Sequence, residues 1–143
     1  VSRTASKVHG LAGLRVGFAI TTPEIAKRLE SYLTDSLNII GLRAAIASYN
    51  DKRFQDYSID QNNRAKKIIT NHLDRKGMEY LDSQTNFIFI KTGMDINDFQ
   101  PAMEKNGVFV GRPFPPYNKW CRLSMAKPEE MEIFNQGMDR VLG

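Results

Sequence analysis

Apolar residues recur along this chain with two spacings, and the switches between them predict alternating strands and helices. Residues 14–20, L-R-V-G-F-A-I, are mostly apolar and rich in β formers, which predicts a buried strand. Thr21-Thr22-Pro23-Glu24 then reads as a helix start, with a threonine cap and a proline in the first turn. Ile25, Leu29 and Leu33 recur four apart on one face of that helix. Asp35-Ser36 restarts a helix over residues 37–50, with Ile39, Ile40, Leu42, Ala45 and Ile46 as its apolar positions. From Asp51 the chain turns polar, while Phe54, Tyr57, Ala65, Ile68, Ile69 and Leu73 keep helical spacing to about Arg75. This predicts one long helix, stopped at Gly77, with Asn62, Lys66 and Lys67 on its exposed face.

The second half continues the alternation. A short strand is expected at 78–80 and a clear one at 86–90, followed by a helix from Asp95 to about Lys105. Asn106-Gly107 turns into a strand at 108–110, a further strand follows at 120–125, and Lys127-Pro128-Glu129-Glu130 starts a terminal helix. Met131, Phe134, Met138 and Val141 form the buried stripe of that helix. The fold class is therefore α/β.

Composition narrows the chemistry little. The chain has 143 residues, 41% hydrophobic and 25% charged, with a formal net charge of +4. That mild excess suits phosphorylated or carboxylated compounds, and equally a basic binding module for nucleic acid. The basic residues are scattered and the aromatics follow apolar patterns, which argues against the module. The single cysteine, Cys121, precludes an internal disulfide and fits a reducing cytoplasm. His9 and His72 lie far apart, so no zinc-type spacing occurs and no metal is expected. No apolar run approaches a membrane span, and no membrane partner is expected. G-x-G-x-x-G and G-K-[ST] are absent, which excludes dinucleotide and P-loop motifs. The segment R-P-F-P-P-Y from Arg112 could be a proline-rich ligand, but reads first as an ordered loop.

The most informative stretch is V-S-R-T-A-S-K-V-H-G-L-A-G-L-R-V-G, residues 1–17. It sets Lys7 among hydroxyl residues and glycines, with Arg15 eight positions on. A lysine amine can condense with a carbonyl compound such as pyridoxal phosphate (PLP), and hydroxyls with a fixed cation suit a phosphate. The ordinary alternative is a solvated surface lysine. Arg122 sits in an apolar strand, where its charge needs a partner; an ion pair and an anion clamp both satisfy that need.

The segment resembles the cofactor-lysine motif of fold-type I PLP enzymes, the class I/II aminotransferases, and within them the histidinol-phosphate aminotransferases. The family pattern is Thr or Ser three before the lysine, Ser just before it, then G-L-A-G-x-R-x-G. The resemblance implies the end of the PLP-binding large domain at 1–48 and a C-terminal small α/β domain at 49–143, joined by the long helix. It implies that Lys7 forms the internal aldimine and that Thr4, Ser6 and Arg15 hold the cofactor phosphate. Gly10, Gly13 and Gly17 would allow tight turns, and His9 would be a packing or solvent-facing residue. V-F-V-G-R-P-F-P-P-Y-N-K-W-C-R-L-S, from Val108, resembles the family's last strands. By that match Arg122 clamps the substrate's anionic group and Arg112 assists. Asn38, in D-S-L-N-I-I-G, fills a place bordering the active site and is expected among the substrate-binding residues.

The implied activity is transamination between a histidinol-phosphate-like amine or amino acid and a 2-oxo acid, in a homodimer with no nucleic-acid partner. Decarboxylation of a phosphorylated amino acid shares the same lysine motif and is the alternative within enzymes. The family carries further cofactor-binding residues before this motif, so the chain reads as the C-terminal part of a larger enzyme.

Overall fold

The computed structural model describes residues 1–33 and 36–143. They divide into two compact units, Val1–Ile59 and Asp60–Gly143, with the division falling inside one long helix.

In the first unit, β1 (Ser2–Thr4) pairs antiparallel with β2 (Gly17–Ala19), Thr4 opposite Gly17. A β-carbon on Gly17 would lie 2.8 Å from the Arg3 carbonyl oxygen, so the ladder needs glycine there. The predicted buried strand at 14–20 is corrected on two counts. Residues Ala12–Leu14 form a 3-10 turn, and Arg15 takes a left-handed conformation (φ 54°) that breaks the extended run. All three residues of β2 are exposed, since a two-stranded ribbon has little to cover it; Val16 alone of 15–20 is buried.

Helix α1 (Pro23–Glu30) starts as expected after Thr22, and Leu33 lies beyond its end. Helix α2 (Ile39–Asn50) starts at Ile39; Ser36 and Leu37 lie outside it, and the predicted start at Asp35 falls outside the described residues. Asn38 supplies the cap, its side-chain oxygen accepting from the Gly41 N–H at 3.0 Å. Gly41 lets α2 approach the preceding loop, since a β-carbon there would meet Val16 Cγ2 at 2.8 Å. The small core is Ala5, Val16 and Ala45, flanked by Leu11, Leu14, Leu42 and Tyr49.

Helix α3 (Lys52–Arg75) carries Ala65, Ile69 and Leu73 into the core of the second unit at every fourth position, and Gly77 follows it with φ 63°. The sheet of that unit is antiparallel, in the order β3 (Tyr80–Leu81), β4 (Phe87–Lys91), β5 (Trp120–Ser124). Ile88, Ile90, Cys121 and Leu123 point to one face and are buried with α4 (Ile96–Glu104) and α5 (Pro128–Leu142). Met131, Phe134 and Met138 are buried and Val141 packs beside them, as the stripe predicted. Phe87, Phe89 and Arg122 occupy the other face, half-buried.

Two further expectations are corrected. Residues 108–110 form no strand: Gly111 donates one backbone hydrogen bond to the Arg122 oxygen at 3.2 Å, and Pro113, Pro115 and Pro116 offer no N–H to extend a ladder. Asn62 and Lys66 are half-buried rather than exposed. Asn62 Nδ2 donates to the Thr85 carbonyl at 3.4 Å and Lys66 Nζ to that of Ser83 at 2.5 Å. Lys67 is exposed.

Candidate active site

The turn that carries Lys7 is built from short-range hydrogen bonds. Thr4 Oγ1 accepts from the Ser6 N–H at 3.1 Å and donates to Ser6 Oγ at 2.9 Å, which brings the two hydroxyls together. Ala5 between them is fully buried; its N–H donates to the Val16 carbonyl at 3.0 Å and its carbonyl accepts from Leu11 at 2.9 Å. The Gly10 N–H closes the turn on the Lys7 carbonyl at 2.9 Å, with φ 68° at Gly10. Gly13 has neither a positive φ nor a close neighbour; besides Gly10, Arg15 takes the left-handed conformation in this loop. Its guanidinium donates to the Ala12 carbonyl at 2.7 Å.

Because Thr4 pairs with Gly17, the hydroxyls and Arg15 occupy the two legs of one closed loop. Lys7 is exposed, and among the described residues its amine has no acidic partner. His9 is buried, its ring centroid 3.9 Å from that of Tyr49 and its Nδ1 3.0 Å from Ser48 Oγ, so it packs. Both ends of the Asn38 amide are engaged locally: the oxygen caps α2, and Nδ2 donates to the Leu14 carbonyl at 3.3 Å.

A second group of predicted residues meets on the open face of the three-stranded sheet. A groove of about 510 Å³ is lined by Arg122, Phe87, Phe89, Phe114, Tyr117 and the loop 81–85. Ser83 Oγ and Thr85 Oγ1 both donate to the Phe87 carbonyl, at 2.5 and 3.1 Å, which fixes the loop wall. Arg122 Cζ stands 4.8 Å from the Phe87 ring centroid and 5.4 Å from that of Phe114. Arg112 is exposed, with Cζ 4.3 Å from the same Phe114 ring. Among the described residues neither arginine has an acidic partner within 4.0 Å.

The open choice for Arg122 therefore narrows: its charge rests on aromatic faces beside an apolar groove. Phe114, Phe89 and Phe87 are site residues that the motifs do not mark; the extended run F-I-F-I at 87–90 is the signal that puts Phe87 and Phe89 on one face of a strand. Cys121, on the buried face, is no nucleophile: burial pushes its thiol up to about 12. Among the described residues no group of three or more His, Cys, Asp or Glu side chains could hold a metal, and no helix is long and apolar enough to cross a membrane.

Residues 1–136 match the profile of the family described as Aminotransferase class I and II. The chain belongs to that family. A histidinol-phosphate aminotransferase 2 of Hydrogenovibrio crunogenus is 31% identical over 146 residues, covering 99% of this chain and 39% of the relative. The chain thus spans about two fifths of the length of the curated relatives it matches. Among solved structures, one from Erwinia carotovora atroseptica, named provisionally as a histidinol-phosphate aminotransferase, superimposes with a TM-score of 0.92 at 36% identity, over 97% of this chain and 40% of that one. The histidinol-phosphate aminotransferase of Sinorhizobium meliloti, solved in complex with pyridoxal-5'-phosphate, gives 0.84 at 27% identity, over 99% and 40%. The fold is that of the PLP-dependent, aspartate aminotransferase-like enzymes.

Proposed function

We propose that this chain is the C-terminal part of a PLP-dependent aminotransferase. Such an enzyme moves an amino group between a histidinol-phosphate-like amine or amino acid and a 2-oxo acid. The observation that carries the reading is the closed loop holding two adjoining hydroxyls, Thr4 and Ser6, an exposed Lys7 and the Arg15 guanidinium. That donor set fits a phosphate monoester bearing an aldehyde. Thr4, Ser6 and Arg15 would hold the phosphate and Lys7 the aldehyde carbon. When bound, PLP supplies an electron sink for the carbanion formed at the substrate's Cα.

Lys7 would then take the proton from the substrate's Cα and return it one position along. Arg122, with Arg112, would bind the substrate's anionic group. Asn38 contributes by fixing the start of α2 against the loop carrying Arg15. Residues 1–48 would close the PLP-binding domain and 49–143 form the small domain. The full-length protein would act as a cytoplasmic homodimer on small molecules, without nucleic-acid or membrane partners.

The test is the visible absorbance of the full-length protein with PLP, and turnover of histidinol phosphate with 2-oxoglutarate. A band that forms in the native protein and is lost in Lys7→Ala, together with oxo-acid-dependent turnover, supports the reading. A band unchanged by Lys7→Ala overturns it, and CO2 release without an oxo acid turns it toward decarboxylation.

A further inference from the structure

We infer that Phe114 is a positioning residue whose ring holds Arg112 and Arg122 together as one anion-binding site. The inference rests on the proposed reading of these arginines as the substrate's anion clamp. Both guanidinium carbons lie within 5.4 Å of the one ring centroid. Two like charges that share one ring repel unless an anion or another negative surface stands near them. The recorded acids do not serve, since neither arginine is ion-paired among the described residues. The negative face of an aromatic ring does, and a flat guanidinium is the cation best shaped to lie on it.

The ring is itself fixed. Phe114 is half-buried, its ring set edge-on to Phe89 at 6.1 Å and 81°. Its carbonyl accepts from the Tyr117 N–H at 2.8 Å, and Pro113 and Pro115 on either side restrict its backbone. Phe89 stands opposite Arg122 in the β4–β5 ladder, so ring and strand share one frame.

The two arginines depend on Phe114 unequally. Arg122 keeps a second aromatic contact, with Phe87 at 4.8 Å, and its strand position constrains it. Arg112 is an exposed side chain on an irregular loop, and its guanidinium lies over the Phe114 ring. Removing the ring frees Arg112 first, and the ordering it supplied must then come from the ligand. The ligand class is a compact, multiply charged anion such as a phosphate monoester.

The experiment titrates the PLP-saturated full-length protein with inorganic phosphate by calorimetry, and monitors thermal unfolding without phosphate. Phe114→Leu is expected to weaken phosphate binding roughly tenfold. Phe114→Tyr, which keeps the ring, should stay within about twofold of native. In an Arg112→Leu background Phe114→Leu should change affinity by less than about twofold, because the group it acts through is gone. Should Phe114→Leu fail to fold, Phe114→Met serves in the same comparisons. Native affinity in the ring-less variant, or an equal loss with and without Arg112, overturns the inference. Native affinity in Arg112→Leu/Arg122→Leu overturns the anion-site reading itself, and is recognised by its independence of Phe114.

Discussion

Phe89 lies directly opposite Arg122 in the β4–β5 ladder, and its ring stacks on Trp120 at 5.2 Å and 26°. The same ring meets Phe114 and Tyr117 edge-on, at 6.1 and 5.9 Å. One residue thus joins the strand bearing the arginine to the loop that walls the groove. Phe89→Ala is expected to destabilise the protein by about 2–3 kcal/mol, less than for a fully buried ring, and Phe89→Leu by about 1 kcal/mol. Denaturant unfolding checks both.

Lys7→Ala should leave the stability of the PLP-free protein within about 0.5 kcal/mol of native, because the side chain is exposed and has no acidic partner among the described residues. Turnover by the full-length protein should fall by at least about a hundredfold, the lower end for a positioned proton-transfer group. Steady-state kinetics beside a thermal melt separates the two effects.

Gly111→Ala should disturb the anion groove through the backbone. A β-carbon there would stand 2.5 Å from the Arg122 carbonyl oxygen, which belongs to a strand and has little room to yield. A cost of about 1–3 kcal/mol is expected, with weaker substrate binding as the loop from Arg112 moves off β5. Denaturant unfolding and the KM for the amino donor report each part.

Asp139 gives the protein a pH response at the α3–α5 contact. Its partial burial favours the protonated acid. That tendency is outweighed by hydrogen bonds and charge from Lys76 at 3.1 Å and His72 at 2.9 Å, which hold the carboxyl below its ordinary 3.8. A carboxyl depressed in the folded state stabilises it above the unfolded value, and that contribution is lost as pH falls through the folded value. Asp139→Asn should therefore lower the melting temperature at neutral pH, and the difference from native should shrink below about pH 4. Melting curves across that range decide it.

Much of this molecule was legible because its signals are local. The loop from Thr4 to Gly17 is closed by bonds between near neighbours, and its hydroxyl and glycine chemistry is written in the motif. Ala65, Ile69 and Leu73 announced the buried stripe of α3, and short, mostly apolar runs announced β4 and β5. What escaped depends on distant partners. Asn62 and Lys66 look like solvated residues until the loop at 83–85, some twenty positions on, offers them carbonyls. The apolar run 108–110 looks like a strand, yet the prolines that follow leave it one rung. Phe114 sits in a loop with no periodicity, so its place under two guanidiniums could not be read from spacing. The Asn38 cap was missed because Asp35-Ser36, just upstream, offers the same capping chemistry in the sequence.

The lone thiol of the chain, at Cys121, is fully shielded and adjoins Arg122 along β5. Maleimide or disulfide dyes should therefore leave the folded protein untouched and react only when that strand lifts away. A natural tripwire thus stands one residue from the guanidinium, ready to time the opening of the groove without an engineered cysteine.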